Sequence, residues 1–210
     1  MLITDGAGDL ARIEAAASAA IRGGCRCVQL REHDWSARQV ASASARLQGR
    51  LDEVGGLLLV NDRVDVAAAG LASGAQVGCR SIPVELARTA LPRPSLLGYS
   101  AHDADELRAA ATAGCDFALL APVWSTASKP GRSGLGVAAA GALTAAAELP
   151  VIWLGGVSLA RAADVGGLPT AQRPSGLAAM SALMSAPDPE EVARALLAAL
   201  GDVAVDPERG

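Results

Sequence analysis

The sequence predicts a single α/β domain folded as a (β/α)8 TIM barrel, and three observations predict it. Short apolar runs recur eight times along the 210 residues. Each is followed by a polar or glycine-containing turn and then, in most units, by a stretch with helical spacing. The runs also lack a polar alternate face, which is the pattern of parallel strands covered by helices on both sides. The mean spacing, about 26 residues per unit, is short but sufficient for a strand, a crossover helix and two tight loops. An open doubly wound sheet is the competing arrangement.

The elements follow in chain order. Leu2-Ile3-Thr4 is the first run, and Asp9 to Gly23 carries helical spacing from a polar start to a glycine stop. Cys27-Val28-Gln29-Leu30 is the second, with a helix from Ser36 to Val54 behind it. Leu57-Leu58-Leu59-Val60 and Ala75-Gln76-Val77 are the third and fourth, the fourth being very short. Leu96-Leu97-Gly98-Tyr99 leads into a helical stretch from Asp103 to Ala113, and Phe117-Ala118-Leu119-Leu120 is the sixth run. After the seventh, Val151-Ile152-Trp153-Leu154, the stretch Gly166 to Pro174 breaks the helix expected before the last strand and reads as an extended or irregular connection. Leu177-Ala178-Ala179-Met180 is the eighth, and Pro189 to Leu200 is the last helix. Asp202 to Gly210 reads as a frayed tail, so that one domain spans residues 1–210.

Composition excludes several classes. The chain is 51% hydrophobic but only 2% aromatic, and its net charge is -4. No apolar run approaches the roughly 20 residues that span a bilayer. The start, Met1-Leu2-Ile3-Thr4-Asp5, lacks a basic segment followed by an apolar one, so a cytoplasmic protein is expected. Cys25, Cys27, Cys79 and Cys115 show neither CxxC spacing nor histidines at zinc-site spacing, and are expected to be reduced and buried. An acidic balance without a Lys/Arg run argues against nucleic acid as a partner. The basic side chains are arginines with one exception, Lys129.

In a barrel the chemistry lies at the C-terminal ends of the strands. Arg31 and His33 after strand two, with Lys129 and Arg132 after strand six, would bring positive charge to one rim of an acidic protein, which is what a phosphorylated substrate requires. Gly155 and Gly156 after strand seven, and the Met180-Ser181 turn after strand eight, can present backbone N–H groups to a phosphate. Asp62 after strand three is the natural Mg²⁺ ligand beside a polyphosphate. Each has a plainer reading: Arg31 as a surface ion pair, Asp62 as a helix cap, Asn61 as a partner for loop backbone, and His102 beside a helix start that Asp103 caps. Trp35, Tyr99, Trp124 and Trp153 read as core or rim packing.

Five ordered segments then carry a resemblance: Gln29-Leu30-Arg31-Glu32, Val60-Asn61-Asp62-Arg63-Val64-Asp65, Gly98-Tyr99-Ser100-Ala101-His102, Ala121 through Thr126 to Lys129-Pro130, and Leu154-Gly155-Gly156-Val157. Together they resemble the thiamine-phosphate synthase family, which includes the TenI-type thiazole tautomerases. The resemblance implies a transferase of thiamine biosynthesis that joins hydroxymethylpyrimidine diphosphate to a thiazole phosphate with Mg²⁺, giving thiamine monophosphate and diphosphate. It implies a dissociative reaction, in which diphosphate leaves a pyrimidine carbocation that the thiazole nitrogen attacks.

Carried over by position, Arg31 and Asn61 are similar to diphosphate ligands and Asp62 to a Mg²⁺ ligand. Lys129 resembles the lysine that contacts the departing diphosphate, and Gln29 and Ser100 resemble residues lining the pyrimidine pocket; Lys129, Arg31 and Ser100 are thus the catalytic candidates. Thr126 and Ser128 stand near the expected thiazole and its phosphate, and Gly156, Met180 and Ser181 stand where backbone groups bind that phosphate. Partners are therefore phosphorylated small molecules, and the reading allows for a homo-oligomer.

Two positions depart from the family pattern, and a third sets the chain apart from the tautomerases. His33 replaces a usual lysine. In Gln76-Val77-Gly78-Cys79-Arg80-Ser81, Ser81 stands in place of a second Mg²⁺-binding aspartate, and Arg80 beside it offers a fixed cation to the diphosphate. Pro122 occupies the place where the tautomerases carry a proton-moving histidine. The alternatives are a divergent, non-catalytic binder of thiamine precursors and a tautomerase.

Overall fold

The computed structural model describes residues 1–126 and 133–201. The predicted tail 202–210 and the positions Ser128, Lys129 and Arg132 lie outside them. The strands are β1 (Leu2–Ile3), β2 (Cys27–Leu30), β3 (Leu57–Asn61), β4 (Gly74–Val77), β5 (Leu96–Ala101), β6 (Phe117–Leu120), β7 (Val151–Leu154) and β8 (Gly176–Ala178). They form one parallel sheet in sequential order. A bridge between Leu2 and Ala179 joins the last strand to the first, with Ile3 N–H donating to Ala179 O at 2.9 Å and Ala179 N–H to Met1 O at 3.0 Å. The sheet is a closed barrel, and the open-sheet alternative is excluded.

Helices alternate with the strands: α1 (Leu10–Arg22), α2 (Ala37–Asp52), α3 (Val64–Ala68), α4 (Val84–Ala90), α5 (Ala104–Thr112), α6 (Val137–Ala146), α7 (Leu159–Gly166), α8 (Ser181–Met184) and α9 (Pro189–Leu200). The longer ones begin where side chains can satisfy the first free N–H groups. Asp9, Asp103, Ser158 and Asp188 each accept from the opening turn, and Ser36 with Gln39 forms a reciprocal capping box before α2. One expectation is corrected: a helix, α7, does precede the last strand, and only its final residue falls in the 166–174 stretch. The remainder is a connection with one 3-10 turn at Thr170–Gln172, held by Arg173, whose guanidinium donates to Leu168 O at 2.9 Å and Gly166 O at 2.7 Å.

Two apolar cores result. The larger lies between strands and helices, and includes Leu30, Val60, Leu97, Leu120 and Trp153. The smaller fills the barrel with Ile3, Leu59, Phe117, Leu119 and Ala178. Phe117 reaches inward because its neighbour Gly98 has no side chain: a Cβ there would lie 2.3 Å from the Phe117 ring and 2.2 Å from Gln76 Oε1. Towards the C-terminal mouth the inward positions divide by strand. Gln29, Asn61, Gln76 and Ser100 come from β2 to β5, whereas Leu119, Leu154, Ala178 and Ile3 come from β6 to β8 and β1. One half of the mouth is polar and the other apolar.

Candidate active site

A cavity of about 330 Å³ opens at that mouth. From β2 it takes Gln29, Arg31 and His33; from β3, Asn61 and Asp62; and from the loop after β4, Arg80 and Ser81. The next strands add Ser100 and Thr126, the β7–α7 loop adds Gly156, and the start of α8 adds Met180 and Ser181. Every predicted site residue that the structure describes therefore lines one cavity. A shallower groove beside α4 and α5 lies away from the strand ends, and its arginines are engaged, Arg88 with Asp116 and Arg108 with Asp105, both at 2.8 Å.

Asp62 sits at φ +60°, a left-handed conformation that Asp tolerates better than most residues. Its carboxylate does not cap α3. Instead Oδ2 accepts from Asn61 Nδ2 at 2.7 Å, and Oδ1 accepts from the Ser81 hydroxyl. That hydroxyl in turn accepts from Gly78 N–H at 2.7 Å, so the loop after β4 is tied to the end of β3. Asn61 Oδ1 accepts from Gln29 Nε2 at 3.0 Å. The other end of the Gln29 amide, Oε1, has no hydrogen-bond partner although the residue is only 2% exposed. Arg63 points elsewhere, paired with Asp65; this pairing holds the Asp65 carboxyl below its usual range.

Among the described residues the Arg31 and Arg80 guanidinium groups and the His33 ring make no ion pair. Arg31 is placed by its backbone, whose N–H donates to Thr4 Oγ1 at 2.8 Å. On the opposite side, the N–H groups of Gly156 and Ser181 find no acceptor among the described residues. Gly156 has φ +67°, and a Cβ there would lie 2.6 Å from Ser125 O, so only glycine lets the two loops approach this closely.

Other residues near the mouth have structural roles. His102 stands before α5 as expected, its Nδ1 2.9 Å from Glu106 Oε2. Trp124 packs edge-on against Trp153 with centroids 5.9 Å apart, which is core packing. Cys25 and Cys115 are buried and Cys27 is half-buried, but Cys79 is exposed on the cavity rim, contrary to expectation. It lies at a turn in which Ser81 N–H bonds to Gly78 O at 2.9 Å, so its side chain is carried outward rather than into the core. Glu32 has a role the sequence alone does not assign: its buried carboxylate accepts from Gly6 N–H at 3.1 Å and Gly8 N–H at 2.8 Å and so shapes the loop after β1. A charge directly after an apolar strand was the available signal. Arg161, which donates to Gly156 O at 2.6 Å and Ser125 O at 3.2 Å, gave no signal at all, because its partners are backbone oxygens.

Known proteins bear on this site. A family model described as thiamine monophosphate synthase matches residues 1–183. The chain is 38% identical over 182 residues to a putative thiamine-phosphate synthase of Geobacter sulfurreducens, covering 86% of this chain and 84% of that one. It is 37% identical over 187 residues to a thiamine-phosphate synthase of Laribacter hongkongensis, covering 89% and 86%. Among solved structures, thiamine phosphate pyrophosphorylase from Pyrococcus furiosus superimposes with a TM-score of 0.81 at 25% identity, covering 95% of this chain and 93% of that one.

Proposed function

As the chain belongs to the thiamine monophosphate synthase family, we propose that it condenses hydroxymethylpyrimidine diphosphate with thiazole phosphate, releasing diphosphate and forming thiamine monophosphate. The bond from the pyrimidine methylene carbon to the diphosphate oxygen breaks, its electron pair leaving with the diphosphate. The thiazole nitrogen lone pair then forms the new C–N bond. No strong base is required, and the protein's task is to bind, orient and balance charge.

The observation that carries this reading is the buried, unpartnered Gln29 Oε1 in a cavity that also holds free cations. A buried acceptor left empty by the protein calls for a donor from the substrate, and the amino group of the pyrimidine supplies one. Ser100 Oγ accepts from Gln76 Nε2 at 3.0 Å, which leaves its own proton for a ring nitrogen. Arg31 and Asn61 hold the diphosphate, and Lys129 meets it as it departs. The free N–H groups of Gly156 and Ser181, beside Met180, receive the thiazole phosphate, with Thr126 and Ser128 near it.

The Asp62 carboxylate and the Ser81 hydroxyl that meet at the β3 and β4 rims are oxygen donors, which fits Mg²⁺ held mainly by substrate phosphates. Asp62 would hold it, with Ser81 fixing the carboxylate. When bound, the ion offsets the charge that builds on the leaving diphosphate. Arg80 adds a permanent cation to the same rim. The tautomerase alternative lacks its proton carrier, since Pro122 stands at that place and neither histidine, His33 or His102, occupies it. We place the reaction in the cytoplasm, with phosphorylated small molecules as its partners and a homo-oligomer allowed; no helix among the described residues is long and apolar enough to cross a membrane.

Purified protein with Mg²⁺ and both substrates should yield thiamine monophosphate, read by chromatography. No product, together with calorimetric binding of the phosphorylated ligands, would instead establish the non-catalytic binder.

A further inference from the structure

The hydrogen bonds at the mouth have a direction that the donor and acceptor chemistry dictates. A carboxylate can only accept, so the Asn61 side chain must turn its NH2 to Asp62, as the 2.7 Å contact has it. Its oxygen is then committed to the other side, where only a donor fits, and Gln29 Nε2 lies there at 3.0 Å. Rotating the Gln29 amide would set its oxygen against the Asn61 oxygen, acceptor to acceptor. The Ser81 hydroxyl reinforces this polarity: it accepts from Gly78 N–H, so its proton goes to Asp62. The relay runs from the exposed rim to a residue that is 2% exposed and ends in one unpartnered oxygen lining the cavity.

We propose that Asp62, acting through Asn61, fixes the Gln29 amide with its oxygen towards the cavity, and that this orientation selects pyrimidines bearing an amino group over those bearing an oxo group. Asn61 and Asp62 are positioning residues in this role. An amino substituent donates to Gln29 Oε1; an oxo substituent in the same place leaves two acceptors facing each other. The inference rests on the pyrimidine reading of the cavity, which it deepens.

The test uses the whole chain and two ligands, the aminopyrimidine alcohol and its oxo counterpart, titrated calorimetrically without metal. The corresponding diphosphates are then compared by kcat/KM with thiazole phosphate as co-substrate. The wild type is expected to prefer the amino compound on the order of 100-fold or more, as sites built around a hydrogen bond do. In Asn61→Leu the Gln29 amide is free to turn, and the preference should fall at least about 10-fold while the KM for thiazole phosphate stays within about twofold. Asp62→Asn, which can donate as well as accept, should show the same relaxation in the metal-free titration and serves if the first variant does not fold. Preference unchanged in a folded variant, or absent in a wild type that still makes thiamine monophosphate, overturns the relay and leaves the synthase reading intact. A wild type that neither binds nor turns over either compound overturns both.

Discussion

Asp62 is the one non-glycine residue with positive φ among those described, and it stands where β3 delivers its end to the cavity. Backbone strain of this kind persists where neighbours over-determine it, and here Asn61 and Ser81 do so from either side. Next to Ser81, Arg80 is exposed, unpaired and on the cavity rim. Arg80→Ala should weaken the binding of inorganic diphosphate on the order of 10-fold, measured by calorimetry in a chelator; unchanged affinity would make this arginine a bystander. Its neighbour Cys79 offers a second measurement. Burial pushes the Cys27 and Cys115 thiols up to about 11, and Cys25 is buried with its Sγ 3.2 Å from Cys27 O, so these thiols are protected from alkylation. Cys79 should react first with iodoacetamide, and saturating diphosphate should slow it; equal labelling of all four in the native protein would contradict the fold at β4.

The loops after β6 and β7 act as one element because Arg161, from the first turn of α7, bonds a backbone oxygen in each. Gly156 lies under this bridge. Both Gly156→Ala and Gly70→Ala place a side chain at positive φ, but Gly70 has nothing within 4 Å of a new Cβ, whereas Gly156 has Ser125 O and Arg161 Nη1 at 2.6 Å. The Gly70 variant should lose about 1 kcal/mol, the left-handed cost alone, and the Gly156 variant about 2 kcal/mol or more. Thermal melts compare them, and thiazole phosphate affinity should fall only in the second. Legibility follows the same division. Strands announce themselves by local apolar runs, so Gln29, Asn61 and Ser100 could be assigned to the mouth from sequence. Arg161 and Glu32 could not be assigned, because their partners are backbone groups of other loops, brought near only by closure of the barrel. The helix before β8 is hard to see in the sequence because glycines and prolines mark the connection that follows it and overshadow the Ser158 cap that begins it.

At the scale of the whole molecule, closure through Leu2 and Ala179 turns eight local strands into a ring whose inward residues share one mouth. A barrel interior is filled in layers by residues from alternate strands, so the inward side chains of neighbouring strands are staggered along the axis. Gln76 stands opposite Asn61, and Ser100 opposite Leu119. The sequence places β2 to β5 on the polar side of this ring and β6 to β8 with β1 on the apolar side. That division bears on which nucleophile would reach a pyrimidine cation in the dissociative reaction that the family resemblance implies. Its two possible captors are the thiazole nitrogen and water, and water adding to the methylene carbon would give the pyrimidine alcohol and a proton. The apolar wall of Ile3, Leu119 and Leu154 offers water no hydrogen bonds on that side, so the partition between coupling and hydrolysis is set by the apolar side chains of that wall. Leu154→Ser, at a partly buried position on the cavity wall, should raise the fraction of alcohol among the products while leaving substrate affinities nearly unchanged. Product ratios by chromatography measure the yield that the dry wall protects.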